Sequence, residues 1–317
     1  MGVELIMRVG IDLGGTKIAA AFVDDNGAIT ERVGLRTNAG EGVRIVTSEL
    51  LKVCDMLAEK TREKITSVGI GVPGTVNSEK GEVVFTPNLP ISGVNITREI
   101  QDKYKCPVRI GNDANCAALG EAIAGSAKGV QSAVMITLGT GVGGGVIVGG
   151  KLHSGLSGAA GELGHMVIVS GGRECGCGRN GCWETYASAT GLKRTAKEFA
   201  RMHPESALYE LSGGDIENVG GRSIFEAYRA NDEAAKLTVE QYIKHIATGI
   251  ANIINILEPD VVCIGGGISN EWSSIEVPIK AAVDAEKYTR FSEGVPQTRI
   301  VCAELGNDAG IIGAAML

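Results

Sequence analysis

Two stretches of the chain share one pattern of apolar and glycine-rich segments. RVGIDLGGTKIAAAFVDDNG begins at Arg8, and SAVMITLGTGVGGGVIVGGK begins at Ser132. Each stretch predicts an apolar strand, a glycine-rich turn, a second apolar strand and a closing turn, which together make a β-hairpin. The same unit thus recurs about 125 residues apart. We therefore expect two related halves that face each other across a cleft.

Further apolar runs predict single strands with polar or glycine-rich ends. The runs lie in Lys64–Gly74, Pro107–Asn115 and Val261–Ser269. The second run ends in the polar residues Asn112 and Asp113, and the third ends in three consecutive glycines. Segments with helical spacing separate these strands along the chain.

Apolar residues at helical spacing predict helices in four segments: Asn95–Tyr104, Ala114–Gly125, Glu184–Ala200 and Asp232–Glu258. Asn95 or Thr97 is the expected N-cap of the first helix, and Gly125 is expected to end the second. Residues 202–221 are polar and rich in turn formers, which predicts a surface excursion rather than a linker. Nothing in this excursion indicates a function.

Composition narrows the class of protein. The chain has 317 residues, 44% of them hydrophobic, and a net charge of −7, which is enough for two ordinary domains with a large core. The acidic balance and the lack of a basic run argue against binding to nucleic acid. No apolar run is long enough for a membrane helix, and Ile6 stands where a myristoylation motif needs Ser or Thr. We therefore expect a cytoplasmic protein with neither a nucleic acid nor a membrane partner.

Three cysteines, Cys175, Cys177 and Cys182, fall within the short stretch CGCGRNGC. In a reducing compartment such a tight cluster favours a metal site over disulfides. The other five cysteines each have apolar neighbours in the sequence, and we expect them to be small buried hydrophobic residues: Cys54, Cys106, Cys116, Cys263 and Cys302.

The glycine-rich turns of the two hairpins are candidate anion sites, because backbone N–H groups there can approach a phosphate without side-chain obstruction. The turns lie in Asp12–Lys17 and Leu138–Gly145. Neither turn fits the P-loop pattern or opens a helix as a dinucleotide fingerprint does. Asp12 is placed to hold Mg²⁺ through water. The alternatives are tight turning for the glycines and a turn-capping side chain for Asp12.

Asp113 stands between a predicted strand and a predicted helix, where binding groups collect in open α/β sheets. A carboxylate at this position can accept the proton of an attacking hydroxyl. An Asn-Asp pair before a helix is equally suited to be its N-cap. Position alone leaves both interpretations open.

Eight motifs occur in one order along the chain: DLGGTK, VGIGVPG, TPNLP, GNDAN, LGTGVGGG, GELGH, CGCGRNGCWE and IGGG. In this order and spacing the chain resembles the ROK family of sugar kinases and repressors, closest to its bacterial glucokinases. The resemblance implies an actin-like, hexokinase-like (ribonuclease H-like) fold of two duplicated α/β domains, with ATP and sugar in the cleft between them. It implies a small domain of residues 1–115 plus 303–317 and a large domain of residues 116–302 that carries the metal motif and a dimerisation surface.

The resemblance also assigns residues to sites, motif by motif. It implies a structural Zn²⁺ in a closed Cys₃His set, with the ligands His165, Cys175, Cys177 and Cys182. It implies that sugar hydroxyls are bound by Gly74, Asn88, Asn112, Asp113, Glu162, His165 and Glu184. It implies that ATP with Mg²⁺ is bound by Asp12, Gly14, Gly15, Thr16, Lys17, Gly139, Thr140, Gly141, Gly265, Gly266 and Gly267.

The activity that the resemblance implies is phosphorylation of glucose at the 6-hydroxyl by ATP, with Asp113 as the general base. Kinases of N-acetylglucosamine or N-acetylmannosamine in the same family share most of these motifs and differ at the C2 pocket. A sugar sensor without catalysis is an alternative of another class. ROK repressors carry a DNA-binding helix-turn-helix ahead of the DLGGTK-like segment, which here begins at Asp12, so we expect none. We expect a homodimer or homotetramer.

Overall fold

The computed structural model describes residues 7–291 and 294–317. The described chain divides into two compact units. The first comprises residues up to 135, 144–161 and 303–317, and the second comprises 136–143 and 162–302. Within the described ranges, no helix combines the length and the apolar character needed to cross a membrane.

Groups of strands and groups of helices follow one another along the chain. The strands are β1 Met7–Leu13, β2 Lys17–Val23, β3 Ile29–Arg36, β4 Ile65–Val72, β5 Thr75–Asn77, β6 Glu82–Phe85, β7 Val94–Asn95, β8 Val108–Asn112, β9 Ala133–Leu138, β10 Val142–Val148, β11 Lys151–Leu152, β12 Val261–Gly265 and β13 Arg299–Cys302. The helices are α1 Val43–Ala58, α2 Arg98–Tyr104, α3 Asp113–Ala124, α4 Glu184–Ala187, α5 Ala189–Met202, α6 Ala207–Leu211, α7 Gly221–Arg229, α8 Glu233–Leu257, α9 Trp272–Glu286 and α10 Asp308–Ala315.

Two five-stranded sheets repeat one topology. The first has the strand order β3-β2-β1-β4-β8, and the second has the order β11-β10-β9-β12-β13. In the first sheet β1 and β2 form an antiparallel hairpin, while β4 and β8 continue the sheet in parallel. In the second sheet β12 and β13 are parallel as well. The hairpin motif that recurs in the sequence therefore opens the same sheet twice, which confirms the predicted duplication.

Small residues let α10 lie directly on the first sheet. A Cβ atom added at Gly10 of β1 would lie 2.0 Å from the Ile311 carbonyl oxygen, and one at Gly69 of β4 would lie 1.7 Å from that of Ala314. The opposite face of β1 buries Val9, Ile11 and Leu13 completely. The sheet is thus covered on both faces, as the near-continuous apolar strand patterns predict.

Helix α3 belongs with the first unit, whereas the resemblance placed the end of the small domain at residue 115. The physical reason is its packing on α10. A Cβ atom at Gly120 would lie 2.2 Å from the Ala309 carbonyl oxygen, and one at Gly313 would lie 1.7 Å from that of Cys116. The two backbones are so close that neither position has room for a Cβ atom, and the two helices therefore pack in direct contact.

Helix boundaries follow local capping chemistry. Helix α3 ends at Ala124 with Gly125 as its C-cap, as predicted. The Asn95 side chain accepts the Arg98 backbone N–H at 3.2 Å at the start of α2. The predicted helix over Glu184–Ala200 is wrong in one respect, because it is two helices. Ser188 is extended and its hydroxyl caps α5 by accepting the Gly191 N–H, which forces the break.

The scattered cysteines match their predicted role in four of five cases. Cys54, Cys106, Cys116 and Cys263 are buried, whereas Cys302 near the end of β13 is only partly buried. Burial raises the pKa of the Cys106 thiol, so this residue is a poor nucleophile. The excursion at residues 202–221 contains the short helix α6 and a single 3₁₀ turn at Ile216–Asn218.

Candidate active site

In the first unit the turn after β1 carries Asp12 at its entrance. The Gly14 N–H donates to the Lys17 carbonyl at 3.0 Å, and the Thr37 hydroxyl donates to the Gly14 carbonyl at 2.7 Å. Burial and, second, the negative charge of Asp113 raise the pKa of Asp12 from 3.8 to about 6, although Lys17 lowers it. A carboxylate in this environment is stabilised in its ionised form by a cation.

The junction of β8 and α3 shows which residue caps the helix. Asn112 is the N-cap of α3, because its Oδ1 accepts the Asn115 backbone N–H at 3.0 Å. Asp113 is the first residue of the helix, and its Oδ1 accepts the Ala114 N–H at 2.8 Å. Since Asn112 caps the helix, Asp113 is not required for that role. Its effect on the pKa of Asp12 shows that the two carboxylates share one electrostatic environment.

Among the predicted sugar-binding residues of the first unit, Gly74 is linked to this junction and Asn88 lies beside the first glycine-rich turn. The Asn112 side-chain Nδ2 donates to the Gly74 carbonyl at 3.0 Å. Gly74 has φ of +111°, and an added Cβ would lie 2.2 Å from the Phe85 carbonyl oxygen, so the position requires glycine. A Cβ at Gly15 would lie 3.7 Å from Cβ of Asn88, which places Asn88 beside the first glycine-rich turn.

In the second unit the turn after β9 meets the glycines after β12. Inside the turn, the Gly139 N–H donates to the Gly141 carbonyl at 3.0 Å. Gly266 has φ of +85°, and an added Cβ would lie 2.5 Å from the Leu138 carbonyl oxygen. The structure therefore brings together two glycine-rich segments that lie far apart in the sequence, Gly139–Gly141 and Gly265–Gly267. An added Cβ at Gly139 or at Gly267 would meet no atom within 4 Å, so the backbone is open at these two positions.

The side chains of His165, Cys175, Cys177 and Cys182 converge in the second unit, and their ligand atoms all lie within 4.8 Å of one another. The Cys175 Sγ is 3.7 Å from the His165 Nδ1, and the Cys177 Sγ is 3.6 Å from the Cys182 Sγ. In a tetrahedral zinc site with Zn–S distances of about 2.3 Å, ligand atoms are about 3.7 Å apart. The donor set and its spacing fit a structural zinc ion.

Two of the predicted sugar-binding carboxylates border this cluster. The Glu162 Oε2 lies 3.9 Å from the His165 Nε2, the nitrogen that faces away from the cysteines. The Glu184 Oε1 lies 3.7 Å from the Cys175 Sγ, and its Oε2 accepts the Val142 backbone N–H at 3.1 Å. Glu184 thus lies between the metal-ligand cluster and the glycine-rich turn after β9.

Sequence reasoning missed the residues that hold the cluster on the helices. The Trp183 side chain is fully buried, and its Nε1 donates to the His245 carbonyl at 2.7 Å. The Arg173 guanidinium lies 4.8 Å from the centre of the Tyr186 ring and donates to Glu198 at 2.8 Å. The only sequence signal for Trp183 is a large aromatic residue directly after the last cysteine, and Arg173 has none.

The predicted site residues divide between the two units. The first unit holds Asp12, Gly14, Gly15, Thr16, Lys17, Gly74, Asn88, Asn112 and Asp113. The second unit holds Gly139, Thr140, Gly141, Glu162, His165, Cys175, Cys177, Cys182, Glu184, Gly265, Gly266 and Gly267.

Known proteins resemble the chain over nearly its whole length. It is 36% identical to a glucokinase from Halalkalibacterium halodurans, over 98% of this chain and 94% of that protein. It is 33% identical to an N-acetyl-D-glucosamine kinase from Histophilus somni, over 98% of each. A crystal structure of a ROK family glucokinase from Streptomyces griseus in complex with glucose and AMPPNP matches with a TM-score of 0.80 and 34% identity, over 98% of each chain.

The structural match extends to the architecture: the chain has the actin-like, hexokinase-like α/β fold of these kinases, built from two duplicated domains. The model of the ROK family matches residues 8–317, which include every predicted site residue. The chain therefore belongs to the ROK family.

Proposed function

We propose that the protein is a MgATP-dependent hexose kinase that phosphorylates glucose at the 6-hydroxyl. The observation that carries the proposal is the Asp113 carboxylate, at the first residue of α3 and in electrostatic contact with Asp12, while Asn112 caps the helix. Sugar kinase activity is supported by the family match and by the glucokinase relatives. ATP as donor is supported by the AMPPNP complex of the Streptomyces griseus enzyme.

In this proposal Asp113 accepts the proton of the attacking hydroxyl. A general base of this kind contributes about 10²- to 10⁴-fold in rate. Asp12 would hold Mg²⁺ through water, and the ion would neutralise charge on the phosphates. Backbone N–H groups in the turns at Gly14–Lys17 and Gly139–Gly141 would stabilise the charge that develops on the transferred phosphoryl group.

Sugar hydroxyls are assigned to two groups of residues, one in each unit. The first group is Gly74, Asn88, Asn112 and Asp113, and the second is Glu162, His165 and Glu184. Carboxylates accept hydrogen bonds and carboxamides both donate and accept, which suits the vicinal hydroxyls of a pyranose. The Asn112 carboxamide is already oriented by its two hydrogen bonds, to Gly74 and from Asn115.

Zinc in the cluster of His165, Cys175, Cys177 and Cys182 is proposed to be structural. All four protein ligands are present, so no position remains for a substrate or a reactive water. Bound zinc would fix the loop that carries Glu184, and no chemical step passes through it. The His165 Nε2 faces Glu162, so this carboxylate would orient the imidazole as outer partners of metal-bound histidines commonly do.

The choice of acceptor between glucose and a 2-acetamido sugar rests on the relatives. The glucokinase from Halalkalibacterium halodurans is 36% identical and the N-acetyl-D-glucosamine kinase from Histophilus somni is 33% identical, and each alignment covers 98% of this chain. The higher identity favours glucose. The relative named for an acetamido sugar makes that substrate the second candidate, with the same fold and the same general base.

The test is ADP release from MgATP across glucose, N-acetylglucosamine, N-acetylmannosamine, mannose and fructose, with Asp113→Ala as the matched inactive control. A preference for glucose that Asp113→Ala abolishes supports the proposal. A preference for an acetamido sugar would support kinase activity with the second candidate substrate instead of glucose. If one of the sugars binds but none of them causes ADP release, the protein is a sugar sensor and not a kinase.

A further inference from the structure

The segment that follows the metal-ligand cluster holds the turn after β9 at three points. We call residues 184–190 the seat segment. The Glu184 Oε2 accepts the Val142 N–H at 3.1 Å, as described above. The Ala189 N–H donates to the Gly139 carbonyl at 2.8 Å, and the Thr190 hydroxyl donates to the Thr140 carbonyl at 2.8 Å. One short segment thus fixes nearly every peptide of the turn.

The Glu184 carboxylate packs directly against Gly141 of the turn. A Cβ atom at Gly141 would lie 2.1 Å from the Glu184 Oε2, far inside normal contact distance. On another side the backbone of Leu138 packs against Gly266. A side chain at position 141 would therefore displace the Glu184 carboxylate from its hydrogen bond with the Val142 N–H.

The two carbonyl contacts also set the direction of the N–H groups. In a trans peptide the N–H of one residue points opposite to the C=O of the residue before it. The carbonyls of Gly139 and Thr140 point at the seat segment, so the N–H groups of Thr140 and Gly141 point away from it. These are the donors that would meet a phosphate if the turn binds the nucleotide.

We propose that Thr190 is a positioning residue for the nucleotide phosphates, acting through the peptide between Thr140 and Gly141. The inference rests on the proposed kinase function, because it assumes that the turn binds ATP. Thr190 does not cap α5, since the Ser188 hydroxyl accepts the Gly191 N–H at 3.0 Å and performs that role. The Thr190 side chain is exposed and donates directly to the turn.

If Thr190 positions the nucleotide, loss of its hydroxyl should change the KM for ATP and not the KM for the sugar. Thr190→Val keeps the shape and the β-branch and removes the one hydrogen bond to Thr140. We expect the KM for ATP to rise about 2- to 12-fold, the range that corresponds to one net hydrogen bond. The KM for the sugar stays within about twofold because Glu184 is untouched. Thr190→Ser keeps the hydroxyl and restores the KM for ATP.

Two further measurements distinguish positioning from general destabilisation. Thr248→Val is the matched control, since the Thr248 hydroxyl donates to the Lys244 carbonyl at 3.0 Å in α8 of the same unit. It leaves both KM values unchanged. Amide hydrogen exchange of a peptide that covers residues 139–143 reports on the turn without any turnover, and it accelerates in Thr190→Val but not in Thr248→Val.

An unchanged KM for ATP in Thr190→Val, or an equal rise in both KM values with a lower Tm, overturns the positioning role. A wild-type protein that releases no ADP with any sugar refutes the proposed function instead. Hydrogen exchange then still decides whether Thr190 holds the turn. Unchanged exchange in Thr190→Val would show that it does not.

Discussion

Gly249→Ala tests whether the metal-ligand loop depends on its contact with α8. A Cβ atom at Gly249 would lie 2.0 Å from Cε2, 2.4 Å from Cζ2 and 2.5 Å from Cδ2 of the Trp183 indole. Trp183 is fully buried and immediately follows the cluster residue Cys182. The indole must therefore move by more than 1 Å, or α8 must shift, to make room for one methyl group.

The expected change in the free energy of unfolding is the sum of one stabilising effect and two destabilising effects. Replacing glycine by alanine inside a helix favours folding by about 1 kcal/mol. Overpacking a close-packed core costs about 1 to 3 kcal/mol. Displacing the indole also breaks the hydrogen bond from its Nε1 to the His245 carbonyl, and leaving buried partners unsatisfied costs about 1 to 3 kcal/mol. The costs exceed the gain, so we expect the free energy of unfolding to fall by about 1 to 5 kcal/mol.

The assay is thermal and urea unfolding of Gly249→Ala, with near-UV circular dichroism to report on the indole and metal analysis to report on the cluster. Gly221→Ala is the control, because Gly221 also lies in a helix and its added Cβ would meet no atom within 4 Å. We expect the control to keep the wild-type spectrum and to be as stable as the wild type or up to about 1 kcal/mol more stable, because its helix gains alanine without overpacking. A Gly249→Ala protein that is as stable as the wild type, with an unchanged near-UV spectrum and metal content, would show that the loop does not depend on its contact with α8.

Three further substitutions test the site. Asp113→Ala should lower kcat about 10²- to 10⁴-fold with an unchanged far-UV spectrum, and a near-normal rate would remove Asp113 from the role of general base. Cys177→Ser should lower zinc content and Tm together, whereas a wild-type protein purified without zinc would count against the metal assignment. The pKa of Asp12 is raised to about 6, so its ionisation costs stability above pH 6 and costs nothing below its unfolded value of 3.8. Asp12→Asn should therefore raise the free energy of unfolding by up to about 3 kcal/mol at pH 7 and hardly change it near pH 4. The control Asp102→Asn, on exposed α2, should leave the free energy of unfolding unchanged at both pH values. An equal increase for Asp12→Asn at both pH values would contradict the raised pKa.

Much of the fold could be predicted because its signals are local. The hairpin pattern at Arg8 and Ser132 predicted the duplicated sheets, and Gly125 predicted the end of α3. The break between α4 and α5 could not be predicted, because Glu184–Ala200 has continuous helical spacing. Ser188 competes with the helix through a side-chain hydrogen bond that only the folded geometry decides.

In the candidate site as well, features within neighbouring motifs could be predicted from the sequence, whereas contacts between distant residues could not. The four metal ligands lie in two neighbouring motifs, so their convergence could be inferred from the sequence. The role of Asp113 stayed undecided because a cap and a base have the same local sequence, and the hydrogen bonds of Asn112 favour the base. The Glu184 carboxylate accepts a hydrogen bond from the turn and the Thr190 hydroxyl donates one to it. These bonds join residues about 40 to 50 positions apart, and no periodicity encodes such contacts.

Three consecutive residues connect the metal-ligand cluster to the turn after β9. Cys182 is a cluster residue, Trp183 packs on α8 and Glu184 accepts the Val142 N–H. The backbone is already helical at Trp183, with φ of −52° and ψ of −40°, so successive side chains project about 100° apart and reach three different neighbours. A backbone shift at Cys182 would therefore displace the contacts of Trp183 and Glu184 as well. Loss of the metal should therefore weaken the turn at Gly139–Val142 as well as the sugar site, and hydrogen exchange should detect it at both.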